Sequence, residues 1–398
     1  MGFRTIILSL CILLAAAGCK KSISIEIPHS AEPTPILLSA SATNHTTTKV
    51  YIEKWNDTKV NIFGLKQNNG IYDYDDPSNI VDKEAVISSD NRVSLYSDDQ
   101  TKAPYYYSDG EVYDFYGYHL GGADVTEVKK GADSYSMSVV LHGNDDLLYA
   151  STDRNKDLMS YTGSELKVHY LYSSFSARRG VHPVLRFSHA LTRFMFIVKG
   201  AGDSYDMFQV AGLQVEAGNT GTLVLGKNFV GFIPSDEIGT LKLKTGDNDF
   251  EITAISPNES SVPLGGETSS IMVAPGHTSM KVTLELLQSQ ENLNSDYSFT
   301  VSSLDIPITD ENGRIYYSPT FLPGYSYNII MYVYGAEKIE INSSVDKWFD
   351  GGVFDVDPDD YIKPSDKPDI PNEKDIESNV SVRDYGDGED LGSIELKY

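Results

Sequence analysis

Over most of its length the chain alternates. In short runs every second residue is apolar, and clusters of Gly, Asn, Asp and Pro end each run. Lys59-Val60-Asn61-Ile62-Phe63-Gly64, residues 135–141, 166–172 and 281–286, and Tyr325-Ser326-Tyr327-Asn328-Ile329-Ile330-Met331-Tyr332-Val333 all carry the pattern. A period of two sends successive side chains to opposite faces of an extended strand, whereas a helix needs a period of 3.6, so these runs specify strands. The nearest helical candidate after Cys19, residues 288–293, is too short to sustain an amphipathic helix. Many short strands with turn signals between them imply an all-β chain of antiparallel sandwiches, in which each sheet buries one face on another. The 26 Tyr and 15 Phe suit such interiors.

The amino terminus has a different logic. Met1-Gly2-Phe3-Arg4 is a short cationic stretch, and the apolar run over residues 6–17 falls short of the ~20 residues that span a bilayer. Leu14-Ala15-Ala16-Ala17-Gly18-Cys19 then reads as the cleavage and lipidation site of a bacterial lipoprotein, although alanine stands at position 16 where leucine is commoner. The mature chain is expected to begin at a lipidated Cys19, each buried CH₂ adding roughly 0.8 kcal/mol of membrane affinity. Cys11 is the one other cysteine and lies in the discarded segment, so no intramolecular disulfide is expected and stability must come from the core. Lys+Arg 32 against Asp+Glu 57 gives a net charge of −25, a surface that repels phosphate backbones and argues against a nucleic-acid partner.

The composition divides the chain into a signal peptide (1–18), an amino-terminal β domain (19–180), a second β domain (181–360) and a tail (361–398). The 180/181 boundary is good to ten residues at best and follows Ser174-Phe175-Ser176-Ala177-Arg178-Arg179-Gly180-Val181-His182-Pro183, a small, basic segment between strand-rich halves. After Trp348 come Asp355-Val356-Asp357-Pro358-Asp359-Asp360 and a spacer containing Pro364, Pro368 and Pro371, which favours an extended, semi-rigid chain. Alternation returns at Asn379-Val380-Ser381-Val382 and at Ser393-Ile394-Glu395-Leu396-Lys397-Tyr398, a strand or hairpin on a tether.

Catalytic motifs are missing. The chain has no G-x-S-x-G, no H-E-x-x-H, no phosphate-binding glycine loop and no free cysteine nucleophile, so no enzyme activity and no cofactor is expected. If residues 184–198 form one strand, His189 shares a face with Phe187 and Leu191 and reads as a satisfied core or edge histidine. Two acidic clusters, Asp73-Tyr74-Asp75-Asp76 and residues 355–360, have the carboxylate density of calcium loops. The second has Asp360 where the EF-hand pattern needs glycine and Asp366 where it needs glutamate, so both read as solvated loops and no metal site is expected. Tyr105, Tyr106, Tyr107, Tyr113, Tyr116 and Tyr118 could form a glycan platform, but Tyr113, Phe115 and Gly117 against Tyr116 and Tyr118 read better as two faces of one strand.

Several segments, in order, resemble the fimbrillin family of lipoprotein pilus subunits: residues 59–64, Val112-Tyr113-Asp114-Phe115-Tyr116-Gly117-Tyr118, Asn144-Asp145-Asp146-Leu147-Leu148-Tyr149-Ala150, Leu185-Arg186-Phe187-Ser188-His189-Ala190-Leu191-Thr192-Arg193, Leu322-Pro323-Gly324-Tyr325-Ser326-Tyr327 and Val345-Asp346-Lys347-Trp348. The resemblance covers nearly the whole mature chain. It implies two transthyretin-like β-sandwich domains in tandem, a C-terminal strand extension, and a lipid-anchored place in the outer membrane at the cell surface or in a fimbrium. It also implies assembly with other pilus subunits by donor-strand addition: a protease removes the first strand, here between residues 23 and 38, and a neighbour's C-terminal strand fills the groove. In this chain the donor role falls to Val380, Val382, Ile394, Leu396 and Tyr398, the alternative being that the tail folds back and completes its own domain. No arginine lies between Arg4 and Arg92, so either Lys49 or Lys54 serves a different protease as the maturation site or the subunit is never trimmed and remains as an anchor. Surface receptors or glycans are the remaining partner classes, and the alternative is a non-polymerising, glycan-binding surface lipoprotein.

Overall fold

The computed structural model describes residues 33–42, 55–67, 71–95, 105–152, 172–178, 180–201, 205–245, 248–257, 262–266, 269–288, 293–309, 313–335 and 338–347. The first half supplies β1 (Leu38–Ala42), β2 (Thr58–Lys66), β3 (Ile80–Ile87), β4 (Arg92–Leu95), β5 (Tyr113–His119), β6 (Asp124–Lys130), β7 (Ser134–Val140), β8 (Leu148–Thr152), a one-turn helix α1 (Ser174–Ala177) and β9 (Val184–His189). The second supplies β10 (Thr192–Gly200), β11 (Phe208–Gly218), β12 (Thr220–Gly226), β13 (Val230–Pro234) and β14 (Ile238–Lys242), followed by the two-residue pieces β15 (Lys244–Thr245), β16 (Asn248–Asp249), β17 (Thr253–Ala254) and β18 (Ser256–Pro257). It ends with β19 (Ile271–Val273), β20 (Ser279–Gln288), β21 (Leu293–Ser302), β22 (Pro307–Thr309), β23 (Ile315–Tyr317), β24 (Tyr325–Gly335) and β25 (Lys338–Lys347). The all-β reading of the alternation is met.

Three layers of strands organise these elements. A closed barrel runs β1-β4-β3-β2-β5-β8-β9, with Ile62, Tyr113, Phe115, Tyr172, Leu185 and Phe187 buried in its core. A sandwich pairs the sheet β18-β10-β24-β25 with the sheet β14-β11-β20-β21, around Phe194, Phe196, Val215, Val282, Leu284 and Tyr327. The third layer, β13-β12-β7-β6, contributes Tyr135, Met137, Val139, Leu223 and Leu225 to a core shared with Phe63, Leu65, Tyr116 and Tyr118 of the barrel strands. In this layer a hairpin from before residue 180 pairs with one from after it, from Val140↔Thr220 to Ser134↔Gly226. Strand β9, which follows residue 180, is itself a stave of the barrel.

The expectation of one strand over residues 184–198 is corrected. The run breaks at Ala190 and Leu191, where the Ala190 amide donates to Leu147 O and Leu191 O accepts from Gly324 N, so the chain leaves the barrel there and enters the sandwich. Apolar residues continue through the break because both are buried in the shared core, which hides the boundary from a periodicity argument. The two-face reading of β5 holds: Tyr113 and Phe115 lie in the barrel core, Tyr116 and Tyr118 in the shared core.

Candidate functional site

The first described segment is the one that closes the barrel. Thr34, Ile36, Leu38 and Ala40 are buried, whereas Pro33 and Leu37 are exposed and Pro35, Ser39 and Ser41 are half-buried, so every second residue faces inward. β1 pairs antiparallel with β4 (Leu38↔Val93) and parallel with β9 over Ser39↔Val184 to Ala42↔Phe187. Upstream, Ile36 N donates to Tyr105 O (2.7 Å) and Tyr107 N donates to Thr34 O (3.0 Å). Ser39 N donates to Pro183 O (3.1 Å) and Ala40 N to Asn91 O (2.9 Å). Burying a side chain such as Ile36 or Leu38 contributes about 1.5–3 kcal/mol. Without this segment, β4 and β9 become open edges above a vacant row of apolar pockets.

Helix α1 adds a side-chain hold on the same segment. Ser173 Oγ accepts from Ser176 N (3.4 Å) while Ser176 Oγ accepts from Ser173 N (2.9 Å), a reciprocal cap that fixes the turn. Arg178 caps its other end and donates from Nη1 to Thr34 Oγ1 (3.0 Å). Among the described residues the inward alternation runs from Thr34 to Ala40, and β1 begins at Leu38, the last residue of the 23–38 window in which the sequence places a first strand. Pro33 and Pro35 mask the alternation in the sequence, because proline lacks the N–H that a regular ladder needs.

The most distinctive sequence motifs meet at one point. β8 and β9 pair Leu148↔His189 and Ala150↔Phe187, and His189 Nδ1 lies 2.7 Å from Asp146 Oδ1, both side chains nearly buried. Asp145 accepts from the amides of His142 and Gly143 (3.2 Å for Gly143). Burial pushes the Asp145 carboxyl up from its ordinary range, against those amide bonds and the nearby His142 and Lys244 charges. Gly121, at φ +63, lies so close that a Cβ would sit 2.2 Å from Asp146 N. Gly143 O accepts from Met272 N (2.6 Å) and Leu141 N donates to Asn219 O (2.7 Å), so this motif ties the barrel to the strands that follow it.

The tyrosines are committed to the interior. Asp82 accepts from Asn61 Nδ2 (2.9 Å), Tyr118 OH (2.6 Å) and Tyr135 OH (3.2 Å), and Asp114 accepts from Gln67 Nε2 (2.6 Å) and Tyr72 OH (2.9 Å). Burial raises the phenol of Tyr116 to about 12, and burial together with the Asp82 charge does the same for Tyr135. Of the six tyrosines that could have formed a platform, Tyr106 alone is exposed and Tyr105 is half-buried.

The loop at Asp73 is a set of turns. Asp73 Oδ1 accepts from Asp75 N (3.1 Å), Asp76 Oδ1 from Ser78 N (2.9 Å), and Asp76 Oδ2 pairs with Lys66 Nζ at 2.5 Å. Among the described residues no group of three or more His, Cys, Asp or Glu side chains is arranged to hold a metal ion. No helix among them is long and apolar enough to cross a membrane. Cys19, Lys49, Lys54, Val380, Val382, Ile394, Leu396 and Tyr398, with the acidic cluster at 355–360, lie outside the described residues.

A barrel closed by the first described strand, joined through a shared sheet to a β-sandwich, defines a strand-built, all-β protein. The chain belongs to the fimbrillin-like family, whose family model matches residues 48–348, and that family comprises fimbrial and adhesion proteins, not enzymes. Among solved structures the chain is similar to a candidate cell adhesion protein from Bacteroides ovatus (12% identity, 81% of this chain and 100% of that one, TM-score 0.48). It is also similar to a fimbrial protein from Bacteroides vulgatus (13%, 80% and 100%, TM-score 0.43) and to the fimbrial anchor protein Mfa2 from Porphyromonas gingivalis (9%, 77% and 97%, TM-score 0.34). No curated protein matches the chain.

Proposed function

We propose that this chain is a cell-surface fimbrial subunit, lipid-anchored at Cys19 in the outer membrane as a precursor, that assembles by strand replacement in the β1 slot. The observation that carries the reading is that the segment from Thr34 through β1 presents four inward side chains and closes the barrel between β4 and β9. Cleavage after Lys49 or Lys54 would cut the chain between β1 and Trp55 and turn β1 into a separable strand.

The tail of another copy matches the slot in side-chain size. Running opposite to β1, Tyr398, Leu396, Ile394 and Gly392 would take the pockets of Thr34, Ile36, Leu38 and Ala40. This direction sets the small Gly392 where Ala40 is 2% exposed and leaves the bulky Tyr398 at the end beside Tyr105 and Tyr107. In the same direction as β1, Tyr398 would meet the Ala40 pocket and overpack it. The reversed strand is antiparallel to β9, the longer of the two β1 pairings, and parallel to β4. Val380 and Val382 offer a second, shorter donor segment behind the proline-rich spacer.

Limited trypsin on the mature chain, followed by native mass spectrometry, tests the reading. Ladders of oligomers after trimming, lost when residues after Tyr361 are deleted or Leu396 is changed to Asp, are the expected result. A trimmed chain that stays monomeric, with its 33–42 segment retained, would rule the mechanism out for this protein.

A further inference from the structure

The segment that closes the barrel is gripped unevenly along its length. At its start, Tyr107 N donates to Thr34 O (3.0 Å), Pro35 bridges to Tyr106, and Ile36 N donates to Tyr105 O (2.7 Å), while Arg178 Nη1 donates to Thr34 Oγ1 (3.0 Å). In its middle, Leu38 and Ser39 pair with β4, Ser39 pairs with β9 as well, and Ala40 N donates to Asn91 O. At its end, Ser41 and Ala42 pair with β9 alone among the described residues (Ser41↔Arg186, Ala42↔Phe187). Phe187 there meets the ring of Trp55 edge-on at 5.1 Å, and the buried Trp55 Nε1 has no hydrogen-bond partner among the described residues. A strand end held on one side, over a polar group left unpaired, opens before an end held on both.

We infer that this segment opens from its Ala42 end, and that the Arg178–Thr34 contact is a latch that keeps the other end seated and sets how often the slot stands fully open. Thr34 is 7% exposed, so its hydroxyl depends on a partner inside the protein, and Arg178 supplies the donor. The arginine sits at the end of α1, whose reciprocal Ser173–Ser176 cap holds the turn in place. That helix is capped at its C-terminus by the Arg178 backbone N–H and not by its side chain, so the guanidinium can let go of Thr34 while α1 stays folded. The latch deepens the strand-replacement reading and rests on it for its purpose. An incoming strand enters beside Phe187, displaces Ala42 and Ser41 first, and expels the segment only when Arg178 releases Thr34.

Hydrogen exchange resolved to single amides, on the untrimmed chain, tests the order of opening. Ser39 N donates to Pro183 O, so the parallel ladder gives Ser41 the next bond to β9. The Ser41 amide should exchange faster than that of Ile36. Arg178→Met should raise the Ile36 rate about tenfold and move Ser41 by less than about twofold, because it leaves the buried Thr34 hydroxyl without its donor. Thr34→Val keeps the shape and removes the hydroxyl, so Arg178→Met should add nothing on top of it. Ile36 exchanging ahead of Ser41, or unmoved by Arg178→Met, overturns the inference, and so do effects of the two changes that simply add. A chain cut at a specific protease site inserted between residues 43 and 54 separates the latch from the reading beneath it. Uptake of a labelled 33–42 peptide, followed by native mass spectrometry, should run about tenfold faster in Arg178→Met. Uptake at equal rates overturns the latch and leaves strand replacement standing, whereas no uptake with the Ile36 effect intact overturns strand replacement and supports the latch.

Discussion

His189 Nδ1 stands 2.7 Å from Asp146 Oδ1, at the point where the chain leaves the barrel for the sandwich. The carboxylate belongs to the β7–β8 connection and the imidazole to the end of β9, so the pair joins two segments whose strands already exchange ladder bonds.

Replacing His189 by Ala strands the Asp146 carboxylate in a site where its side chain is 11% exposed and its Oδ2 already lacks a partner. Leaving a buried polar group without its hydrogen-bond partner costs roughly 1–3 kcal/mol, more than an ordinary hydrogen bond contributes. His189→Ala should therefore lose more stability in urea denaturation than His189→Ala combined with Asp146→Leu. A double-variant loss equal to the sum of the His189→Ala and Asp146→Leu losses would show that the pair is not coupled.

Asp76 gives a pH signature of opposite origin to that of Asp145. The bond from Lys66, helped by Ser78, holds its carboxyl at about 2, below the ordinary 3.8. A folded value depressed below the unfolded one stabilises the native state above the unfolded value, and that contribution is lost as pH falls from about 4 towards 2. The pair is partly exposed, so the term is on the order of 1 kcal/mol. Asp76→Asn should flatten the acid limb of urea stability between pH 4 and pH 2, with a loss near pH 7 and almost none at pH 2.

Asp145 runs the other way. Burial raises its folded value above the unfolded one, so its contribution is fully present below the unfolded value and lost as pH rises through the folded value. Asn keeps an acceptor for the His142 and Gly143 amides. Asp145→Asn should thus gain stability relative to the parent as pH rises from about 3 to 7, read as a growing difference in urea midpoint. A difference that is constant with pH would show that the carboxyl titrates alike in both states.

Leu38 is 5% exposed on a strand with few ladder partners, and Leu37 beside it is 51% exposed. Leu38→Ala should destabilise the intact chain by about 2–5 kcal/mol, while Leu37→Ala stays within about 0.5 kcal/mol. The contrast, measured by thermal or urea unfolding, checks that β1 is seated inward as described and not shifted by one residue, which would reverse the two effects.

How much of this was legible in the sequence depends on the kind of contact. β2, β5, β7, β20 and β24 could be read because alternation is local, and β5 declared both its faces through Tyr113 and Phe115 against Tyr116 and Tyr118. The β1 slot was legible only as a neighbourhood. Pro33 and Pro35 interrupt its pattern, and the parallel β1–β9 pairing joins segments far apart in the chain, for which a single sequence carries no signal. The Asp146–His189 contact was present as two family motifs, but nothing in their spacing said that they touch. Likewise Ser134–Val140 announces a strand without announcing that its partner, Thr220–Gly226, comes from the other half.

That last pairing carries a thermodynamic consequence. Tyr135, Met137 and Val139 of β7 and Leu223 and Leu225 of β12 are each no more than 4% exposed, and they share one core with Phe63, Tyr116 and Leu191. Separating the two halves would expose this core and leave β7 and β12 as open edges, so the halves cannot reach full stability one at a time. Independent tandem domains unfold in separable steps, whereas a shared core of this kind couples them. The chain should therefore unfold in urea as one transition, with far-ultraviolet circular dichroism and tryptophan fluorescence giving the same midpoint. Met137→Asp should lower both signals together, by more than about 3 kcal/mol, because it buries a charge between the layers without a partner. Two resolved transitions, of which Met137→Asp moves one, would mean that the β7–β12 sheet does not bind the halves into a single cooperative unit.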